Sequence, residues 1–323
     1  MRAPNCHAID VHHHIVPPFY LDEYRDKIAA GRGGKLSPAW AGWSPEHSIA
    51  AMDDVGVATS VLSLSTPGVW FDDAERARNT ARRVNEYAAG LVAKYPRRYG
   101  FFAAVPLPDP EGSLAEIAYA LDTLKADGIG LLTSYGDMWL GDERFAPVMA
   151  ELNRRKVVTF VHPSVPFCCR NLFPEVIPMI AEVPADTTRT VTNMLFKGTF
   201  RRWRDIRWIF CHAGGFVPMV APRISYYGRE EMKVQAPDGV EAELARLYYD
   251  LGGTVSKPAI AALLALAPVS QVLMGSDFPY VPLTDTTEGL AALSRAGLGL
   301  TPADMAAITR GNALRLMPGL GTP

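Results

Sequence analysis

From Ile9 onward, short apolar or β-branched runs alternate with longer helical stretches, and this alternation restricts the fold more than any other feature. The runs are Ile9 to Ile15, Thr59 to Leu64, Tyr99 to Val105, Ile129 to Thr133, Val157 to Val161, Trp208 to Cys211, Leu247 to Asp250 and Val272 to Met274. Helical patterns fall between them at Ser44 to Gly56, Asp73 to Tyr95, Pro110 to Ala126, Asp142 to Arg154, Pro174 to Phe196, Val217 to Met232, Pro258 to Ala267 and Leu290 to Leu316. Ser44 suits an N-cap and Gly56 a helix stop, while Thr301-Pro302 and Asn312 read as helix starts. Eight strand-helix repeats predict a parallel (β/α)₈ barrel. An open doubly wound sheet is the alternative, but no Gly-x-Gly-x-x-Gly follows any strand. Pro17 to Trp43, with Gly31, Gly33, Gly34, Pro38 and Gly42, is expected as a small insertion after the first strand, opening on a helix from Phe19 to Ala30. The 323 residues fit one barrel domain over 1–323.

Composition excludes several classes of function. With 48% hydrophobic residues, 20% charged and a net charge of -2, there is no basic stripe for nucleic acid. No apolar run reaches transmembrane length, and Met1 to Asp10 contains no apolar leader core. Cys6, Cys168, Cys169 and Cys211 are few, with no Cys-x-x-Cys, so reduced thiols and a cytoplasmic location are expected.

The chemistry begins in Ile9-Asp10-Val11-His12-His13-His14-Ile15. On a strand, His12 and His14 share one face and His13 takes the other. Residues two apart on a strand lie about 7 Å apart, so two leaning imidazoles can close on one divalent ion. Pro17-Pro18 ends the strand, which sets the pair at the carboxyl end, where a barrel keeps its active site. Three adjacent histidines can also be a surface accident or a tag remnant, but this run is short and embedded in an apolar strand.

His162, His212 and Asp277 each follow a buried strand as well. Singly, each could be a turn or cap residue. Together, four of the seven histidines fall at the ends of three strands that a barrel brings to one mouth. His12, His14, His162 and Asp277 form a hard-to-borderline donor set suited to Zn²⁺, with Mn²⁺ the alternative. No lysine stands at a strand end to bridge two ions, so one ion per subunit is expected. His212 is assigned outside the ion's shell as an acid/base and substrate-orienting group, with Gly214-Gly215 allowing close approach. His7, His13 and His47 read as structural or surface residues.

These residues belong to a larger pattern: Ile9 to His14, Tyr95-Pro96-Arg97-Arg98, Phe160-Val161-His162-Pro163, His212-Ala213-Gly214-Gly215 with Arg223-Ile224-Ser225, Gly275-Ser276-Asp277-Phe278-Pro279, and Gly311-Asn312-Ala313. In this order and over nearly the whole chain, the pattern resembles the amidohydrolase-superfamily decarboxylases typified by 2-amino-3-carboxymuconate-6-semialdehyde decarboxylase. The resemblance implies a metal on His12, His14, His162 and Asp277, an essential His212 outside the ion's shell, and a homodimer. In that dimer Arg223 reaches the neighbouring site to hold a substrate carboxylate, a task suited to its rigid fork. The namesake has an arginine near the start of its first barrel helix, whereas Pro45 to Met52 here contains none. The loops offer Phe19, Trp70, Trp139, Phe167, Phe278 and Tyr280 instead, flat apolar surface of which some is ordinary packing.

Sister decarboxylases act on ortho-hydroxybenzoates. The expected reaction is therefore non-oxidative decarboxylation of such an acid, for example 6-methylsalicylate to m-cresol and CO₂. Asp277 and His212 are the expected catalytic groups, and Arg223, Phe278, Trp70, Trp139 and Phe19 the expected substrate contacts. Metal-assisted hydrolysis of an amide or lactone uses the same ligand types, and a catalytically dead binding barrel would hold no metal.

Overall fold

The computed structural model describes residues 7–30, 36–170, 172 and 175–321; Cys6 and Gly31, Gly33 and Gly34 lie outside them. Eight strands occur in one sheet: β1 (Ala8–Ile15), β2 (Val57–Leu64), β3 (Tyr99–Ala104), β4 (Gly128–Leu132), β5 (Val158–His162), β6 (Arg207–Phe210), β7 (Tyr248–Asp250) and β8 (Val272–Leu273). Every neighbouring pair is parallel. The sheet closes on itself beyond β8: Val11 N donates to Met274 O at 3.0 Å, Asp277 N to His12 O at 2.8 Å, and His14 N to Phe278 O at 2.8 Å. This is the (β/α)₈ barrel that the alternation predicts.

Its helices follow the strands in turn. α1 (Pro18–Ala30) is the insertion after β1, and α2 (Pro45–Val55) is that strand's barrel helix. Then come α3 (Ala74–Lys94), α4 (Pro110–Asp122), α5 (Ala146–Arg154), α6 (Glu182–Phe196), α7 (Val217–Tyr227), α8 (Lys257–Leu266) and α9 (Leu283–Leu293). The starts obey local chemistry: the side chains of Ser44, Asp73 and Asp109 each accept a backbone N–H of the first turn. Gly56 ends α2 at φ 79°, where a Cβ would be strained.

The barrel interior is packed by Ile9, Val11, Val61, Phe102, Val158, Phe160, Ile209 and Leu273, with Leu316, Met317 and Leu320 sealing one end. The register of β1 against β2 shifts between Asp10 and His13. This bulge lets consecutive residues point inward: Val11 joins the interior cluster and the His12 ring lies 5.1 Å from that of Phe160. Side-chain alternation resumes beyond it.

Two helical expectations are corrected. Val217 to Met232 is not one helix, because it breaks at Gly228 and a second helix runs Arg229–Gln235. A Cβ on Gly228 would sit 2.7 Å from Phe196 Cζ, so the bare backbone there lets the Phe196 ring at the end of α6 come close. Leu290 to Leu316 is interrupted at Gly297 and Gly299, both at positive φ, before Thr301 and Asp304 form a reciprocal capping box. An α-helical segment does begin at Asn312, running Asn312–Leu316 after a π-helical turn at Ala307–Gly311, but Asn312 does not cap it. Asn312 is buried, and its Nδ2 donates to Val269 O and Val272 O at 2.7 Å each, tying the last helix to β8.

Asp127, just before β4, accepts the Phe101 N–H at 2.9 Å. Burial pushes its carboxyl up to about 6, against about 3.9 in an unfolded chain. A raised carboxyl pKa costs stability above 6, and the cost fades as the pH falls towards 4. Asp127→Asn keeps the acceptor without the charge. We expect it to stabilise by about 1–2 kcal/mol at pH 8 and by progressively less below pH 6. Denaturant titrations at both pH values check this, and an unchanged midpoint at pH 8 would refute it.

Candidate metal centre

β1, β5, the turn after β6 and the loop after β8 deliver five side chains to one point. The Nε2 atoms of His12 and His14 are 3.1 Å apart, and both face Asp277 Oδ1, at 3.3 Å and 3.1 Å. The His162 ring stands edge-on to both, with centroids 5.3 Å from His12 and 4.7 Å from His14. His212 completes the group, 5.0 Å from His12 between ring centroids. One donor atom from each of His12, His162, His212 and Asp277 lies within 4.8 Å of the others. His12 and His14 are wholly buried, whereas Asp277 keeps 15% of its side chain accessible, so approach is over the carboxylate.

What suits this group to a cation is the position of the other ring nitrogens. Nδ1 of His12 is 3.1 Å from both oxygens of Asp250, and that of His14 bonds Ser63 O at 3.2 Å and Ser63 Oγ at 3.1 Å. Nδ1 of His162 lies 2.8 Å from Pro163 O, and that of His212 lies 2.6 Å from Gly252 O. An Nδ1–H that donates outward leaves the Nε2 lone pair facing inward, the arrangement of metal-bound imidazoles. The residues present fit one divalent ion.

Electrostatics agree with that geometry. Burial pulls the imidazolium of His12 down, but the carboxylates of Asp250 and Asp277 outweigh it and hold His12 well above its ordinary range. Burial takes His14 down to about 4, and burial beside His14 and His12 holds His162 well below its usual value. Burial pushes the Asp277 carboxyl up, yet the charge on His12 and the bonds from His12 and His14 keep it well below the normal carboxylate range. The group therefore offers neutral His14 and His162 and an ionised Asp277, while His12 holds a proton that a cation must displace.

The surroundings are stiff. Asp10 accepts the N–H groups of His12 and Ser276 on Oδ1, and Ser276 Oγ–H on Oδ2, which staples the β1 bulge to the loop carrying Asp277. His212, Ala213 and Asp277 all sit at left-handed φ, 55°, 55° and 68°. Such backbone persists in non-glycine residues only where the surroundings dictate it, and functional sites collect it. His13 points away, bonding Asp10 Oδ2 at 2.9 Å and Ser48 Oγ at 2.8 Å.

Not every expected residue reaches this point. Phe278 does not: it pairs with His13 in a parallel bridge, which sends both rings to the outer side of β1, where they stack at 4.7 Å. Phe19 does not either; it faces α3, with the Arg83 guanidinium 4.1 Å from its ring and Tyr87 beside it. Trp70 is half-buried in the loop after β2. Trp139 lies on a hairpin after β4 and donates Nε1–H to Asp186 Oδ1 at 2.8 Å. Arg223 is exposed on α7, its guanidinium 5.2 Å from the Tyr227 ring. Tyr280, by contrast, borders the group, 5.6 Å from His14 between rings. Sequence reasoning missed Asp250. It ends β7 as His162 ends β5, and that terminal position was the available signal.

Comparison with known proteins places this geometry in context. The amidohydrolase family model (Amidohydro_2) matches residues 9–318. The chain is 33% identical to decarboxylase yanB of Aspergillus niger, covering 98% of this chain and 88% of that one. It is 32% identical to 6-methylsalicylic acid decarboxylase acuB of Aspergillus aculeatus, covering 97% and 96%. In structure it is similar to 5-carboxyvanillate decarboxylase of Novosphingobium aromaticivorans, solved with manganese and 4-hydroxy-3-methoxy-5-nitrobenzoic acid. That match has a TM-score of 0.86 at 20% identity, over 97% of this chain and 96% of that one.

Proposed function

Because the chain belongs to the amidohydrolase family, and within it to the decarboxylases, we propose that it decarboxylates an ortho-hydroxybenzoate such as 6-methylsalicylate, releasing CO₂ and m-cresol. One observation carries the reading: His12, His14, His162 and Asp277 converge in a chain that is one-third identical, end to end, to a 6-methylsalicylic acid decarboxylase. Those four would hold one divalent ion; their donor types favour Zn²⁺, and the manganese in the 5-carboxyvanillate enzyme supports the alternative. When bound, the ion supplies a Lewis acid and a template for the carboxylate and phenol oxygens.

The protein's own groups then manage the proton. Asp277 takes the phenol proton and delivers it to the ring carbon bearing the carboxylate, which becomes tetrahedral. The bond from that carbon to the carboxylate breaks, its electron pair restores the aromatic ring, and CO₂ leaves. The product phenolate regains a proton from water. His212, held by Gly252 O, turns Nε2 towards the carboxylate and steers it.

Arg223 would act from a partner subunit, clamping the substrate carboxylate. In support, α7 leaves Met219, Tyr226 and Tyr227 at 69%, 66% and 70% exposure on the helix that carries Arg223, side chains of the kind that interaction surfaces collect. Trp70 and Trp139 would border the ring from the loops above. The test is direct. Metal-loaded protein incubated with 6-methylsalicylate should yield m-cresol and CO₂ in equal amounts, and silence with it and with other ortho-hydroxybenzoates would end the proposal.

A further inference from the structure

Beside His162 the barrel holds a small recess lined by Leu64, Val69, Phe102, Ala104, Gly130 and Leu132. Its volume is about 20 Å³, room for about one water-sized sphere, and a methyl group is of that order. The polar side chains at its border each hold at least one hydrogen bond. Ser63 Oγ bonds His14 Nδ1 at 3.1 Å, Tyr135 Oη accepts the Leu132 N–H at 3.0 Å, and His162 Nδ1 bonds Pro163 O.

Two small residues make the room, Ala104 on β3 and Gly130, its register partner on β4. Nothing in the backbone demands glycine at 130. Its φ is not left-handed, and a Cβ there would meet nothing closer than 3.6 Å. Gly128, two residues earlier, is the opposite case, since its Cβ would lie 2.2 Å from Val158 O. One glycine is required by packing; the other only keeps space open.

We propose that Gly130 and Ala104 set the size and polarity of a recess that receives the ring substituent ortho to the carboxylate, which selects a methyl-sized alkyl group. The proposal rests on the reading above, in which the carboxylate and phenol sit at the His/Asp cluster, one wall of which is His162. An apolar recess separates substrates differing by one methyl group by about 10- to 100-fold. A hydroxyl placed there exchanges water for a wall that is mostly carbon, with Ser63 and Tyr135 the only hydroxyl side chains among the described lining residues, so 2,6-dihydroxybenzoate is disfavoured.

The experiment compares 6-methylsalicylate, salicylate and 2,6-dihydroxybenzoate on the metal-loaded wild type, Gly130→Ala and Ala104→Val. Turnover is read as kcat/KM and binding by calorimetry. The wild type should prefer the methylated acid by about tenfold or more, and each variant should lower the ratio of methylated to unsubstituted acid by about as much. An unchanged ratio in both variants, or a wild type that favours the dihydroxy acid, overturns the recess. Should no acid release CO₂, the decarboxylase reading falls, while the binding ratios still decide the recess. Gly130→Ala adds one methyl at ordinary contact distance, so it keeps the test available if Ala104→Val fails to fold.

Discussion

Asp277→Asn is expected to lower kcat on an ortho-hydroxybenzoate by about a thousandfold or more, with the fold intact. The asparagine keeps the shape and an oxygen for a cation, but it loses two properties at once. It has no charge to balance the ion beside buried, neutral His14 and His162, and it cannot take up and return a proton. Metal content should fall at stoichiometric loading and recover with excess Mn²⁺ or Zn²⁺, while kcat stays low after recovery. That split matters. If refilling the site restored turnover, the carboxylate would be a ligand only, and the proton would have to travel through His212. Turnover at wild-type levels without added metal would sink both roles.

The barrel and most of the cluster were legible because the signals are local. Strand alternation puts His12 and His14 on one face, and a histidine or aspartate after an apolar run needs only the barrel's geometry to become a neighbour of the others. The bulge at Asp10 was not legible, because it exists only in the pairing of β1 with β2. Phe278 was misplaced for a related reason. Its position after a strand says which end of the barrel it occupies, but its parallel bridge with His13 decides which side the ring takes. Asn312 does open a helical segment, yet its side chain does not cap it, because two carbonyls, those of Val269 and Val272, claim its amide. Asp250 has only its place at the end of β7 to mark it, and nothing local names its partner. Its partner His12 is 238 residues away in sequence, and β7 and β1 are brought together only by closing the sheet through β8.

Asp250 is therefore the position where structure adds most, and it should be the second most sensitive. Its carboxylate spans Nδ1 of His12 with both oxygens and also accepts the backbone N–H of Gly252 at 2.8 Å. Removing such an outer partner of a metal-bound imidazole typically costs 10–100-fold in metal affinity or activity. Asp250→Ala is expected near the upper end, about 100-fold weaker for Zn²⁺ or Mn²⁺, and Asp250→Asn near the lower end, since its oxygen can still accept the His12 N–H. The pH dependence gives a separate check. Without an ion, Asp250 and Asp277 together hold the proton on His12, so a cation must displace it and affinity falls as the pH falls. In Asp250→Asn one of the two carboxylates is gone, His12 loses its proton at lower pH, and fewer protons leave on binding. Calorimetry in buffers of different ionisation enthalpy counts those protons directly. Equal proton release and equal affinity in wild type and Asp250→Asn would mean that Asp250 only packs against His12, and that the surplus negative charge around this imidazole has no part in drawing a cation to the cluster.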